Sequence, residues 1–133
     1  HALKMKDPPR ATALQRRVYN VVRRTHGPDH KFTIMAGAEL SQTLLLNGDA
    51  AEAEPLLRAQ LAQLVKKNGK DNYNCLVAAQ DLAYSFAFQG KVAEAIDLVQ
   101  EYLPRARQCL GSDHPTTCSY EKLQLALLAS ADP

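Results

Sequence analysis

At 133 residues, 46% hydrophobic and 23% charged, the chain fits one soluble globular domain able to bury about two thirds of its unfolded surface. It lacks Trp, is modest in Gly and Pro, and has no apolar run near the roughly 18 residues that span a bilayer, which argues against an all-β domain and membrane insertion. Net charge is +2 but uneven: residues 1–31 hold eight Lys/Arg and two acids, the remainder eight and twelve, so the basic end is a candidate arm for anions.

The first predicted helix covers Pro9–Thr25. At 100° per residue, Arg10, Arg16, Arg17, Arg23 and Arg24 fall within about 140° of one face, with Leu14, Val18, Val21 and Val22 opposite. Such a basic stripe has the charge to meet phosphates, but no aromatics interleave for base stacking, so a solvated outer face is the expectation and nucleic acid is not favoured. A second helix is predicted from Phe32 to Asn47, stopped by Gly48. The next opens on Asp49-Ala-Ala-Glu52, which reads as a capping box. Ala53, Leu56, Leu57, Leu61, Leu64 and Val65 then recur at helical spacing until Asn68-Gly69 closes the helix. Tyr73–Gln89 and Val92–Leu110 repeat the plan, with Pro104 expected to kink the latter. Thr116–Ser130 is the sixth helix, with Tyr120, Leu123, Leu125, Leu127 and Leu128 spread widely around it.

The elements recur with a fixed period. Gly-Pro-Asp-His begins at Gly27, Gly-Lys-Asp-Asn at Gly69 and Gly-Ser-Asp-His at Gly111, each 42 residues after the last. Residues 27–68 and 69–110 are identical at ten aligned positions, among them Gly48/Gly90, Ala53/Ala95 and Leu56/Leu98. Matched positions are mostly small, apolar or glycine, the residue types that set packing and turns. Each Gly-x-Asp is expected to be an elbow, with Gly ending one helix at positive φ, Asp capping the next, and the histidine packing in the loop. The expected division is a half repeat over 9–26, repeats over 27–68 and 69–110, and a half repeat over 111–133, together one domain spanning 1–133.

These stretches, above all GPDH and the AELSQTLLLNGDAAEAEPLL block with its counterpart DLAYSFAFQGKVAEAIDLVQ, resemble tetratricopeptide repeats of the 42-residue kind found in kinesin light chains. The resemblance implies an all-α solenoid of antiparallel helix pairs in a right-handed superhelix. Its first helices line a concave groove that grips a protein or peptide segment. It implies inward positions at Met35, Ala38, Glu39, Gln42, Leu45 and Leu46, and at Val77, Gln80, Asp81, Tyr84 and Phe88 one repeat on. Glu39 and Asp81, one period apart, are expected to form an acidic ladder, with Lys122 the basic inner residue of the last helix. A segment with basic and apolar residues suits that groove. Gln42 and Gln80 offer backbone hydrogen bonds, and Tyr84 and Phe88 flat apolar faces. The alternatives are docking on an anionic surface or nucleic acid through the basic N-terminal helix, self-association through the last helix, or an architectural role in a longer repeat protein.

No enzyme chemistry is legible. His26 and His30 are four apart but straddle Gly27-Pro28, so they share no helix face, and no thiol or carboxylate completes a metal set. Cys75 lies near a helix start without a paired histidine in its own repeat, which favours a structural thiol over a nucleophile. Phosphate cradles and hydrolase motifs are absent. No cofactor or metal is expected. Cys75, Cys109 and Cys118, without a Cys-x-x-Cys pair, suggest reduced and mostly buried thiols, hence a cytoplasmic setting.

Overall fold

The computed structural model describes residues 8–131, which form six helices and, among the described residues, no strand. They are α1 (Pro8–His26), α2 (Lys31–Leu46), α3 (Ala50–Asn68), α4 (Tyr73–Phe88), α5 (Val92–Leu110) and α6 (Pro115–Ala131). The bounds of α2 and α3 recur in α4 and α5 after 42 residues, to the residue at both ends. Every helix packs on its chain neighbours, and α4 also touches α6, so α2, α4 and α6 form one row.

Glycine stops each of the first five helices. Gly27, Gly48, Gly69, Gly90 and Gly111 all hold φ between 79° and 91°, a region that costs a residue bearing Cβ strain. What starts the helices differs from expectation. After each Gly-x-Asp elbow the fourth residue, not the aspartate, supplies the cap. Phe32 N–H donates to His30 Nδ1 at 3.0 Å, Asn74 N–H to Asn72 Oδ1 at 2.9 Å and Thr116 N–H to His114 Nδ1 at 3.1 Å. His and Asn interchange because each offers an acceptor two bonds from Cβ. The capping box at Asp49 is likewise absent: the Asp49 side chain makes no cap bond, and Glu52 turns to Arg16 on α1. Pro104 does not interrupt α5, which runs unbroken from Val92 to Leu110.

One apolar core runs through the stack. Leu44, Leu57, Leu76, Val99, Tyr102 and Tyr120 are completely or almost completely buried, as are Ala53 and Ala95. Several buried hydroxyls find backbone carbonyl acceptors. The Tyr120 hydroxyl donates to the Leu76 carbonyl, and the Thr33 hydroxyl donates to Gly27 O at 2.6 Å. Thr117, two periods after Thr33, bonds Ala106 O at 3.2 Å, eleven residues back, as Thr33 also reaches Val22 O at 3.4 Å. Cys75 fills the intervening equivalent position and is buried. It is a packing residue, and burial pushes its thiol pKa up, away from thiolate chemistry. Cys109 is exposed and Cys118 half-buried, so only one of the three thiols is in the core.

Candidate functional site

The row α2–α4–α6 brings most of the expected groove residues onto neighbouring helices, in a different register. Gln42 Nε2 donates to Asp81 Oδ2 at 2.6 Å, so the rung between repeats joins one repeat's Gln42 to the next one's Asp81. Glu39, one helical turn before Gln42, stands exposed, and its charge is not among the influences on Asp81. Gln42 of one repeat and Asp81 of the next thus form a diagonal amide–carboxylate rung.

Asp81 is the chemically distinctive group. It makes no ion pair among the described residues, and burial lifts its pKa to about 6 despite the opposing hydrogen bond from Gln42. Tyr84, one turn further along α4, is half-buried, and its ring stacks on Phe88 with centroids 6.1 Å apart. Burial and the neighbouring Asp81 charge both push the Tyr84 hydroxyl pKa up. Phe88 is 63% exposed, an uncovered aromatic face at the end of α4. Met35 and Leu46 are exposed as well. Lys122 on α6 is exposed and makes no ion pair among the described residues. Gln80 departs from expectation: it is buried, and its Nε2 lacks a hydrogen-bond partner, so it is not on the open surface for a peptide backbone.

The basic stripe of α1 divides. Arg16 forms a two-pronged pair with Glu52 on α3, which takes it out of any free anion face. Arg10, Arg17, Arg23 and Arg24 are exposed. Of the apolar residues expected opposite, Leu14, Val18 and Val21 are exposed and Val22 is half-buried. His26 and His30 pack as rings 4.5 Å apart, with Phe32 against both, and no metal-binding cluster of His, Cys, Asp and Glu occurs among the described residues.

The Tetratricopeptide repeat family model matches residues 34–108, more than half of the chain. The chain belongs to the tetratricopeptide repeat family. Two solved structures share the fold of this tetratricopeptide repeat chain, both from Podosopora anserina and described as kinesin light chain nearly identical TPR-like repeats, one of them a point variant. They match with TM-scores of 0.88 and 0.86, each at 21% identity and covering 98% of the chain. The chain spans about three fifths of their length, 61% and 62%. No curated protein matches. Tetratricopeptide repeats are scaffolds for protein–protein interaction, without catalytic machinery of their own. No helix of the described residues is long and apolar enough to cross a membrane.

The rung and the caps escaped sequence reading for one reason: both depend on side chains that the repeat does not keep identical. The His/Asn/His series at positions 30, 72 and 114 was the available signal, since all three present an acceptor at one register.

Proposed function

We propose that the row of α2, α4 and α6 binds a protein segment carrying a Lys or Arg beside apolar residues, the cation meeting Asp81 and the apolar groups lying on Tyr84 and Phe88. Glu39 and Lys122 flank this surface and select against segments of the wrong charge pattern. The division into half, full, full and half repeats within one domain, and a cytoplasmic setting, belong to the same reading.

The carrying observation is the Asp81 carboxylate: largely desolvated, hydrogen-bonded by an amide, and without a cation. A buried charge without a partner is costly. A ligand ammonium or guanidinium relieves that cost, whereas an acidic tail adds to it. The basic stripe of α1 is the weaker candidate, because Arg16 is already engaged with Glu52.

The experiment is fluorescence anisotropy with a labelled, end-capped Lys-Leu-Arg-Leu-Lys peptide, comparing the wild type with Asp81→Asn. The variant keeps an acceptor for Gln42 and removes only the charge. Affinity is expected to fall about tenfold, in the range of losing a desolvated charge pair. Equal affinity of the two proteins, or no binding to either, contradicts the proposal.

A further inference from the structure

The two full repeats diverge in a concerted way at one place, where α1, the first elbow, α2 and α3 meet. At the equivalent junction of the second repeat, two ion pairs tie the elbow to α5: Lys70 to Glu101, and Asp71 Oδ1 to Arg105 Nη1 at 2.7 Å. Beneath them the ring of Tyr102 is fully buried. One period earlier, Pro28, Ala59 and Gln63 stand in place of Lys70, Glu101 and Arg105, and Gln60 in place of Tyr102. Both ties are thus lost, and the filling ring with them. A cavity of about 80 Å³ results, walled by Tyr19, Ile34, Gly37, Leu56, Ala59 and Gln60 among others. It shares Ile34 and Gln63 with a second hollow of about 240 Å³, which reaches Lys66, Lys67 and Asp29.

The charge at this place changes in step. Arg23, Lys66 and Lys67 occupy the positions of Val65, Gln108 and Cys109. All three cations are exposed and make no ion pair among the described residues, with only Asp29 lining the hollow as an acid. Lysines in a last helical turn favour the carbonyl end of that helix; the matching turn of α5 carries one cation, Arg107, and that one is paired with Glu121. Neighbouring positions thus supply cations around the opening left where bulk and salt bridges are lost.

We propose that this junction is a second binding site, which takes an acidic peptide segment: one apolar side chain enters the cavity while flanking carboxylates meet Arg23, Lys66 and Lys67. An apolar floor sized for a single side chain beneath a cationic rim suits a peptide better than a phosphate backbone, which has nothing to place in the cavity, and Asp29 at the rim adds repulsion toward a dense polyanion. The site uses different residues from the surface at Asp81 and takes ligands of opposite charge.

The test uses a fluorescein-labelled, C-terminally amidated Glu-Asp-Leu-Glu-Asp peptide in low salt. Gln60→Tyr restores the filling ring and leaves every cation in place. Ala59→Leu, at an exposed position, narrows the opening with little burden on the fold. Lys66→Gln with Lys67→Gln removes charge and keeps the cavity. Each change is expected to weaken the peptide at least about tenfold, as for truncating or blocking an anchor residue, while Asp81→Asn leaves it unchanged. Absence of binding to the wild type overturns the proposal. So does binding that both cavity-filling variants leave untouched, since surface charge alone then explains it. An oligo-dT strand or phosphatidylserine vesicles that bind where the peptide does not would assign the patch to those polyanions and equally overturn it.

Discussion

His30 caps α2 through Nδ1, so the cap exists only while the ring is neutral, with its proton on Nε2. Burial holds the His30 pKa below the ordinary imidazole value, helped by the positive charges of His26, Lys31 and Lys67. The fold thus favours the neutral ring. Its contribution is fully present above the unfolded value near 6.5 and is lost as pH falls through the lower folded one. The protection factor of the Phe32 amide is accordingly expected to drop on acidification from about pH 7 to 5. His30→Asn, copying Asn72, is expected to keep it. An identical acid response in both proteins would show that His30 does not act as the cap.

Glu54 responds to acid in the same direction, at lower pH. Its carboxylate receives Lys91 Nζ at 2.9 Å, Gln89 Nε2 at 2.9 Å and Arg58 Nε at 2.7 Å, which lower its pKa to about 2. Its stabilisation is present above about 4.5 and lost as pH falls toward 2. Because Arg58 is exposed and Lys91 only half-buried, Glu54→Gln is expected to cost only about 1 kcal/mol at neutral pH by urea melts. The difference between the two proteins should shrink toward pH 2. A pH-independent difference would mean that Glu54 acts through packing alone.

Among the elements, compensating changes between helices explain residues that a single helix does not. Gly37 is a poor helix former inside α2, but a Cβ there would lie 3.1 Å from the Tyr19 ring of α1. The next repeat has Ala79 and Leu61 at these two positions, trading a smaller ring-side group for a Cβ. Ala95 is completely buried where helices meet, so Ala95→Leu is expected to overpack the contact by about 1–3 kcal/mol, read as a lowered midpoint in thermal melts. An unchanged midpoint would place Ala95 outside a tight contact. The six helices, the 42-residue period and the glycine stops were legible in the sequence because they rest on residues the repeat keeps. The caps, the Arg16–Glu52 pair and the burial of Gln80 were not, because each is settled by a neighbouring helix whose register one strand of text does not show. Of the groove, Asp81, Tyr84 and Phe88 were legible as a set; the partner of Asp81 was not, since a diagonal contact lies off the period.

At the scale of the whole molecule, the stack leaves apolar groups uncovered at both ends: Leu14, Val18 and Val21 on α1, Leu125 and Leu128 on α6. Helix-pair solenoids bury such faces against the next helix or a polar cap. The chain is therefore expected to self-associate at high concentration in sedimentation velocity, and Leu125→Glu with Leu128→Glu to abolish this. Concentration-independent sedimentation of the wild type would argue that α6 is no contact surface. Charge is segregated as well. The Asp81 carboxylate makes no ion pair among the described residues, while the first junction sets Arg23, Lys66 and Lys67 against the single acid Asp29, so the two faces are expected to sort ligands by opposite sign.

The ligand preference of the row α2–α4–α6 turns on Asp81. Carbon-13 NMR of its carboxyl carbon, titrated free and with saturating Lys-Leu-Arg-Leu-Lys peptide, tests it most directly. The free protein is predicted to titrate near 6, and the bound one well below. Through that linkage, affinity at pH 5 should be about tenfold weaker than at pH 7. A free value near the ordinary 3.8, or one the peptide does not move, would contradict the claim that a desolvated carboxylate awaits a cation in this groove.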